Sequence, residues 1–138
     1  MNKVYLDTDV LMDFLYQRQP FFPSAVRLIA RLEEGKTRGF VSTLIIWNLM
    51  YLLQKEFGRT QGKRILQDLR SLVTLVAVDE KIVDQALASD IKDFEDAIQY
   101  FAARSSKLDT IITRNKKDYP QGTISLLTCE EFLAQAAR

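Results

Sequence analysis

The sequence contains no histidine and only one cysteine, Cys129. Without histidine, the chain cannot use a serine–histidine triad, a histidine general base or an ordinary histidine zinc site. A single cysteine forms no intramolecular disulfide, and the first residues carry no signal-type apolar segment, so we expect a reducing, cytoplasmic location. Any catalysis must therefore use carboxylates, hydroxyls, amides, lysine and arginine.

A strong net charge and a long apolar run are also missing. The formal charge is +1, so no overall basic field indicates nucleic-acid binding, and any such binding has to be local. The most apolar stretch, residues 40–53, is too short to span a bilayer and is interrupted by Ser42, Thr43 and Asn48. We therefore expect a globular core and no membrane association.

Glycine and proline are scarce, with five and three residues among 138, and no linker-like stretch or internal repeat is visible. We expect one domain over residues 1–138. Apolar segments of strand length alternate with segments of helical periodicity. The predicted strands cover residues 4–6, 37–41, 73–78, 108–113 and 123–127. The predicted helices cover the segment after Val10, residues 24–34, 44–57, 61–72, 80–88 and 93–103, and the segment after Thr128.

This alternation predicts an α/β fold, a three-layer α/β/α arrangement with a parallel five-stranded sheet. The helix over residues 44–57 is apolar on nearly every side, which favours a central position. Leu87 and Phe94 belong to the predicted buried stripes of two later helices. Thr128 and Glu131 have the spacing of a capping box, which predicts the start of the last helix.

Two carboxylates follow the first predicted strand directly, in Asp7-Thr8-Asp9. In an open parallel sheet, the carboxyl ends of the strands form the usual active-site edge. The same edge gathers Ser42 and Thr113, which lie at the ends of the second and fourth predicted strands. A site is therefore expected at this edge.

Three further acids can reach the same edge. Asp93 and Asp96 share a helix face beside its apolar stripe, and Asp118 follows the fourth predicted strand. Carboxylates about 4 Å apart repel by about 4 kcal/mol at an effective dielectric constant of about 20, and a divalent cation relieves this repulsion. Oxygen-only ligand sets suit Mg²⁺ or Mn²⁺. The predicted metal ligands are Asp7, Asp96 and Asp118. Asp9 and Asp93 are expected to support them.

Each of these acids also has a purely structural interpretation. Asp7 or Asp9 can cap the helix that follows the first strand. Asp93 can be an N-cap with Asp96 three residues later, an arrangement that needs no metal. Asp118, which precedes Tyr-Pro, is also typical of a turn. The residues alone leave these alternatives open.

Four segments carry these acids in order along the chain: LDTDVLMD at residues 6–13, STLIIWNLMYLL at 42–53, DFEDAIQYFAA at 93–103 and DTIITRNKKDYP at 109–120. Together they resemble the PIN domain family, and more narrowly its branch related to VapC-type toxins. The resemblance implies a metal-dependent endoribonuclease that hydrolyses RNA phosphodiester bonds with Mg²⁺ or Mn²⁺. It also implies a cognate antitoxin as partner and a homodimer.

The resemblance assigns roles to individual acids. Asp7 matches the family's first acid. Asp96 matches the acid that opens the family's late helix, and Asp93 lies one turn before it. Asp7, Asp96 and Asp118 would hold one or two ions that activate water for attack on a phosphodiester, with Asp93 and Asn115 in support.

Two of the family's acids are amides in this chain. The second acid, usually a glutamate, falls on Asn48. Thr113 matches the threonine of the family's Thr-x-Asp motif, in which Asn115 takes the place of the acid and Asp118 is the substitute. Both amides are assigned supporting roles, and they leave open an alternative function, a degenerate PIN fold that binds RNA or a protein without cutting.

The resemblance also implies that the segment after the fourth strand binds RNA. Arg114, Lys116, Lys117 and Thr113 would position the backbone of single-stranded or looped RNA, with salt-sensitive affinity. The plainer interpretation is that the two lysines belong to a solvated loop. Thr8 and Thr113 are either turn hydroxyls or groups that orient water.

A second enzyme class shares the opening motif. An apolar strand followed by Asp7-Thr8-Asp9 also resembles haloacid dehalogenase-type phosphatases, in which Asp7 would be a covalent nucleophile and Asp9 an acid–base group. That family needs a later lysine and an acidic motif at strand ends, and residues 115–118 fit this pattern poorly.

Overall fold

The structure, a computed structural model, describes residues 1–137. In this range it contains five strands: β1 (Asn2–Leu6), β2 (Thr37–Ser42), β3 (Val73–Val76), β4 (Thr110–Ile112) and β5 (Ser125–Leu127). The α-helices are α1 (Thr8–Leu15), α2 (Phe22–Glu33), α3 (Thr43–Phe57), α4 (Arg59–Leu72), α5 (Glu80–Ala88), α6 (Phe94–Ser105) and α7 (Cys129–Ala136). Residues Lys116–Asp118 form a short 3₁₀ helix. None of the helices in this range is long and apolar enough to cross a membrane.

All five strands are parallel, in the order β3-β2-β1-β4-β5, so β1 is central. Successive side chains of a strand point to opposite faces of the sheet. Tyr5 of β1 therefore packs with α5 and α6 on one face. Its neighbours Val4 and Leu6 pack with α1 to α4 and α7 on the other. The predicted three-layer α/β/α fold with a parallel five-stranded sheet is confirmed.

Helix and strand ends follow local side-chain chemistry. The side chains of Ser42 and Asp79 each accept a backbone N–H in the first turn of α3 and α5. Thr128 and Glu131 form the predicted capping box of α7. β3, β4 and β5 are shorter than predicted, because sheet pairing ends before the apolar runs do.

The close contact of α3 and α4 depends on two glycines. Gly58 joins the helices with φ +85°, a conformation that L side chains rarely adopt. A Cβ atom on Gly62 would lie 2.9 Å from the carbonyl carbon of Leu53, so the helices approach where no side chain fits. α4 begins at Arg59, two residues earlier than predicted, and Gly62 lies inside this helix.

Three predictions of burial are wrong. α3 is not buried on all sides, because Trp47 is 77% exposed and Tyr51 is 65% exposed. Leu87 on α5 and Phe94 at the start of α6 are exposed as well. Each helix is covered by the sheet and its helix neighbours along one stripe only. Periodicity therefore located the helices correctly but overestimated the width of their buried faces.

Candidate active site

Asp7 lies at the centre of the carboxyl edge of the sheet. It directly follows β1, and its backbone N–H donates to the carbonyl oxygen of Ile112 on β4 at 3.0 Å. Its side chain is only 5% exposed. Asp7 is also the N-cap of α1, because its Oδ1 accepts the Thr8 N–H at 2.7 Å. The Asp7 carboxylate therefore caps α1 and also belongs to the predicted site. Asp9 does not cap the helix.

Three side chains hold the Asp7 carboxylate in addition to the Thr8 amide. Gln99 Nε2 donates to Oδ1 at 3.0 Å, the Thr113 hydroxyl donates to Oδ2 at 2.7 Å, and the Tyr119 hydroxyl donates to Oδ2 at 2.9 Å. Burial and the charge of Asp7 raise the pKa of Tyr119, which therefore remains a hydrogen-bond donor. All four donors are neutral.

Glu95, in the first turn of α6, approaches the same edge from the other face of the sheet. Its Oε1 accepts the Thr8 hydroxyl at 3.0 Å, and its Oε2 accepts Asn48 Nδ2 at 3.0 Å. Burial raises the pKa of Glu95, and the charges of Asp93 and Asp7 add to this effect. Glu95 therefore brings a further carboxylate to the position of Asn48.

Asp96, in the first turn of α6, has a carboxylate without a partner in the described part of the chain. Within residues 1–137 its carboxylate has no hydrogen-bond donor or cation as partner, and only its backbone N–H is bonded, to Asp93 Oδ1 at 3.0 Å. Asp93 is therefore the N-cap of α6, as the structural interpretation allowed. Burial raises the pKa of Asp96 to about 7, with further contributions from the charges of Asp7, Asp93 and Asp118.

Asp9 faces the amide that replaces the family's acid after the fourth strand. Its Oδ2 accepts Asn115 Nδ2 at 2.9 Å and the Arg114 backbone N–H at 3.2 Å. Its Oδ1 is buried without a partner in the described part of the chain. Burial and the charge of Asp7 raise the pKa of Asp9 to about 7.

The predicted RNA-binding roles of Thr113 and Arg114 need correction. Thr113 is fully buried and donates to Asp7, so it positions an acid and does not reach a substrate. Arg114 donates twice to Asp13, at 2.8 and 3.1 Å, and its guanidinium lies 3.9 Å from the ring centre of Phe21. The guanidinium of Arg114 therefore neutralises Asp13 inside the protein and does not face a substrate.

The two lysines of the segment differ. Lys116 forms an ion pair with Glu131 at the start of α7. Lys117 is exposed and has no ion-pair partner within residues 1–137. It lines a cleft of about 750 Å³ together with Lys92, Asp93 and Asp118. The cleft therefore brings exposed lysines next to two of the predicted acids.

The donor chemistry of this edge fits a hard divalent cation. The groups are carboxylate oxygens, and no lysine or arginine of residues 1–137 forms an ion pair with Asp7, Glu95 or Asp96. In the same range, no three acidic or cysteine side chains already converge as a complete metal site. The edge therefore holds uncompensated negative charge, and binding a cation requires side-chain rotation.

Three residues of the site were not predicted. Glu95 stands among acids in Asp93-Phe94-Glu95-Asp96, which was a usable signal. Gln99 lies four residues after Glu95, one turn along α6, and it is only 1% exposed. Tyr119 reaches Asp7 because the 3₁₀ helix before it turns the chain back over the sheet.

Comparisons with known proteins identify the family and agree with the fold. The sequence model of the PIN domain family matches residues 3–117. Ribonuclease VapC1 of Aquifex aeolicus is 27% identical over 139 residues, which cover 95% of this chain and 93% of that protein. A toxin–antitoxin complex from Klebsiella pneumoniae contains a chain with a similar fold, with a TM-score of 0.68, 22% identity and coverage of 91% and 97%. VapC20 of Mycobacterium tuberculosis, described as a sarcin–ricin loop cleaving toxin, gives a TM-score of 0.67, 16% identity and coverage of 88% and 96%.

Proposed function

Because the chain belongs to the PIN domain family, we propose that it is a Mg²⁺- or Mn²⁺-dependent endoribonuclease and the toxin of a toxin–antitoxin pair. One observation of the structure supports the activity above all others. Buried and half-buried carboxylates gather around Asp7 at the active-site edge without any cation to neutralise them. Such a cluster is unfavourable while its members are ionised, and a bound divalent ion relieves the repulsion.

In the proposed mechanism, Asp7, Asp96 and Asp118 hold the ion. When bound, it supplies an activated water and stabilises the leaving oxygen of the phosphodiester. Thr113 and Tyr119 keep the Asp7 carboxylate in one orientation through its Oδ2. Their hydrogen bonds fix the position of an acid that has no cation partner of its own.

The RNA backbone is assigned to the cleft beside the acids. Lys117 and Lys92 line it and place positive charge next to Asp93 and Asp118. A single strand or a loop exposes its phosphates to such an open cleft more readily than a duplex does. We therefore expect salt-sensitive binding that depends on these two lysines more than on Arg114.

The proposal also covers location and assembly. The protein acts as a single domain in the cytoplasm, where its one thiol stays reduced. An antitoxin is its partner, by analogy with the toxin–antitoxin complex of similar fold. The homodimer implied by the sequence resemblance stays a prediction.

The structure weakens the argument for a non-catalytic binding module. That alternative rested on Asn48 and Asn115, which lack the charge of an acid. Each of the two amides donates to a carboxylate, Asn48 to Glu95 and Asn115 to Asp9. The edge has therefore not lost its negative charge. Membership of the PIN family also leaves no basis for the phosphatase alternative.

Cleavage of a mixed RNA pool tests the proposed function. We expect wild-type protein to cut RNA with Mn²⁺ or Mg²⁺, to stop when EDTA is added, and to recover when the metal is restored. The isosteric Asp96→Asn variant should remain folded and fail to cut. RNA cleavage that continues unchanged in EDTA, or in Asp96→Asn, would contradict metal-dependent hydrolysis.

A further inference from the structure

The carboxylates at the active-site edge differ in how many lone pairs they have left. A carboxylate offers about four acceptor positions. Asp7 already uses four, because each of its oxygens accepts two hydrogen bonds. Glu95 accepts one on each oxygen and keeps one position free on each. Asp96 accepts none. Glu95 and Asp96 are therefore better prepared than Asp7 to bind an ion without losing existing hydrogen bonds.

Three elements converge to hold the Glu95 carboxylate. Thr8 comes from the first turn of α1 and directly follows Asp7, Asn48 comes from α3, and Glu95 comes from α6. Both donors are neutral, so they fix the orientation of the carboxylate and leave its charge uncompensated. This is the arrangement of a metal-binding side chain with outer partners that orient it.

An independent observation concerns Gln99, which follows Asp96 by three residues on α6. Its Nε2 donates to Asp7, so its amide lies in the site, but its Oε1 is buried without a donor in residues 1–137. The whole side chain is 1% exposed. A buried amide oxygen without a partner is costly. Water bound to an ion at this edge would supply the donor that Oε1 lacks.

We propose that Glu95 is a further ligand of the divalent ion, beside Asp96, and that Asn48 and Thr8 position its carboxylate. This inference rests on the proposed function, because it assigns a ligand to the same metal. The proposal also explains why an amide can stand at position 48, where the family usually has a glutamate. Asn48 holds the carboxylate of Glu95 and does not have to supply one itself.

Mn²⁺ titration by calorimetry tests the proposal without depending on activity. The variant is Glu95→Gln, which keeps the size of the side chain and removes its charge. The matched control is Glu33→Gln on α2, an exposed glutamate outside the site, and Asp96→Asn serves as the metal-site reference. Thermal unfolding in EDTA shows whether each variant is folded.

We expect Glu95→Gln to bind Mn²⁺ at least about tenfold more weakly than wild type, since loss of an outer partner alone typically costs about 10- to 100-fold. Its melting temperature in EDTA should equal or exceed that of wild type, because the substitution removes a half-buried charge next to Asp7 and Asp93. Glu33→Gln should bind like wild type. A merely structural role for Glu95 predicts the opposite pair of results, lower stability with unchanged Mn²⁺ affinity.

The outcomes separate this proposal from the proposed function. If wild type and Glu95→Gln bind Mn²⁺ equally while Asp96→Asn does not, the metal site stands and the assignment of Glu95 is overturned. If wild type is folded, binds no Mn²⁺ and does not cut RNA, the metal-dependent function falls and the assignment of Glu95 falls with it.

Discussion

Asp7 and Asp13 lie six residues apart, at the two ends of the same short helix, and both are almost completely buried, at 5% and 2% exposed. Asp13 is neutralised by a bidentate ion pair with Arg114, and Arg18 lies 3.9 Å from it. Asp7 accepts hydrogen bonds only from neutral donors and forms no ion pair within residues 1–137, and the carboxylates of Glu95 and Asp96 lie close to it. The protein itself neutralises Asp13, whereas Asp7 has no ion-pair partner within residues 1–137.

This difference separates a structural acid from an acid of the active site. Burial by itself does not distinguish them, and Asp7 accepts more hydrogen bonds than Asp13, four against two. The sign of the surrounding charge distinguishes them. Around Asp13 the protein supplies positive charge, whereas around Asp7 it adds the negative charges of Glu95 and Asp96. We infer that a divalent ion supplies the positive charge that the protein does not place beside Asp7. The following predictions test this inference.

The largest effect is expected for RNA cleavage after Asp96→Asn. We expect the rate to fall by about 100-fold or more, because an ion that stabilises charge by several kcal/mol is lost or displaced. Asp13→Asn removes the same charge from the compensated acid. Per folded molecule, it should cut RNA at nearly the wild-type rate. Equal losses of activity in Asp96→Asn and Asp13→Asn would contradict the distinction between the acids of the active site and the neutralised Asp13.

The second effect is a loss of stability, and we expect it at Asp13 and not at the acids of the active site. Asp13→Ala should lower the free energy of unfolding by about 2 to 3 kcal/mol, below the usual cost of breaking a fully buried pair because Arg114 is partly exposed. Arg18→Ala, which removes only the distant and exposed partner, should cost less than about 1 kcal/mol. Urea denaturation measures both values. A larger loss for Arg18→Ala than for Asp13→Ala would contradict our account of the pair.

The sequence allowed much of the fold to be predicted, because periodicity and capping are local signals. The five strands and the capping box at Thr128 follow from neighbours in the chain, and the parallel direction of the strands follows from their alternation with helices. Asp7 could be identified in the same way, from its place at the end of an apolar strand. The role of Arg114 could not, since its partner Asp13 is about a hundred residues away in sequence and no local pattern links them.

The same reason explains which part of the site was missed. Glu95 contacts Thr8 and Asn48, which come from two other helices, and only the folded chain brings the three together. Gln99 would ordinarily be read as a solvent-facing polar residue of an amphipathic helix. Its burial follows from the position of α6 against the sheet, a tertiary feature that composition and spacing do not contain.

A third prediction concerns a double variant in which the carboxylate and the amide at positions 95 and 48 change places. The double variant Asn48→Glu with Glu95→Gln moves the carboxylate across a 3.0 Å hydrogen bond and keeps the net charge. We expect it to recover Mn²⁺ affinity to within about tenfold of wild type, a cost typical of a disturbed outer partner. Glu95→Gln alone is the comparison. An affinity no better than that of the single variant would show that the position of the carboxylate matters more than its presence.

A fourth prediction uses Mn²⁺ as a stabilising ligand. At a free concentration of about ten times its dissociation constant, the ion should stabilise the fold by about 1.4 kcal/mol. For a chain of this size that corresponds to a rise in melting temperature of about 5 °C. Asp13→Asn should show the same rise from a lower starting temperature, whereas Asp96→Asn should show almost none. Differential scanning fluorimetry compares the three proteins.

A fifth prediction concerns the dependence of stability on pH in EDTA. Folding raises the pKa of Asp96 from its ordinary value of 3.8 to about 7, so the folded protein binds this proton more tightly than the unfolded chain does. Stability from this group is therefore greatest at low pH and is lost as pH rises from about 4 to about 7. Relative to Asp96→Asn, wild type should become less stable over this range. A difference that grows in favour of wild type would contradict an uncompensated acid.

The most direct test of the central claim is anomalous diffraction from crystals grown with Mn²⁺. We expect an anomalous peak at the carboxyl edge of the sheet, at a bonding distance of about 2.1 Å from oxygens of Asp96 and Glu95, and no peak beside Asp13. A crystal that contains Mn²⁺ but shows no peak at this edge would contradict the claim that the uncompensated carboxylates hold a divalent ion.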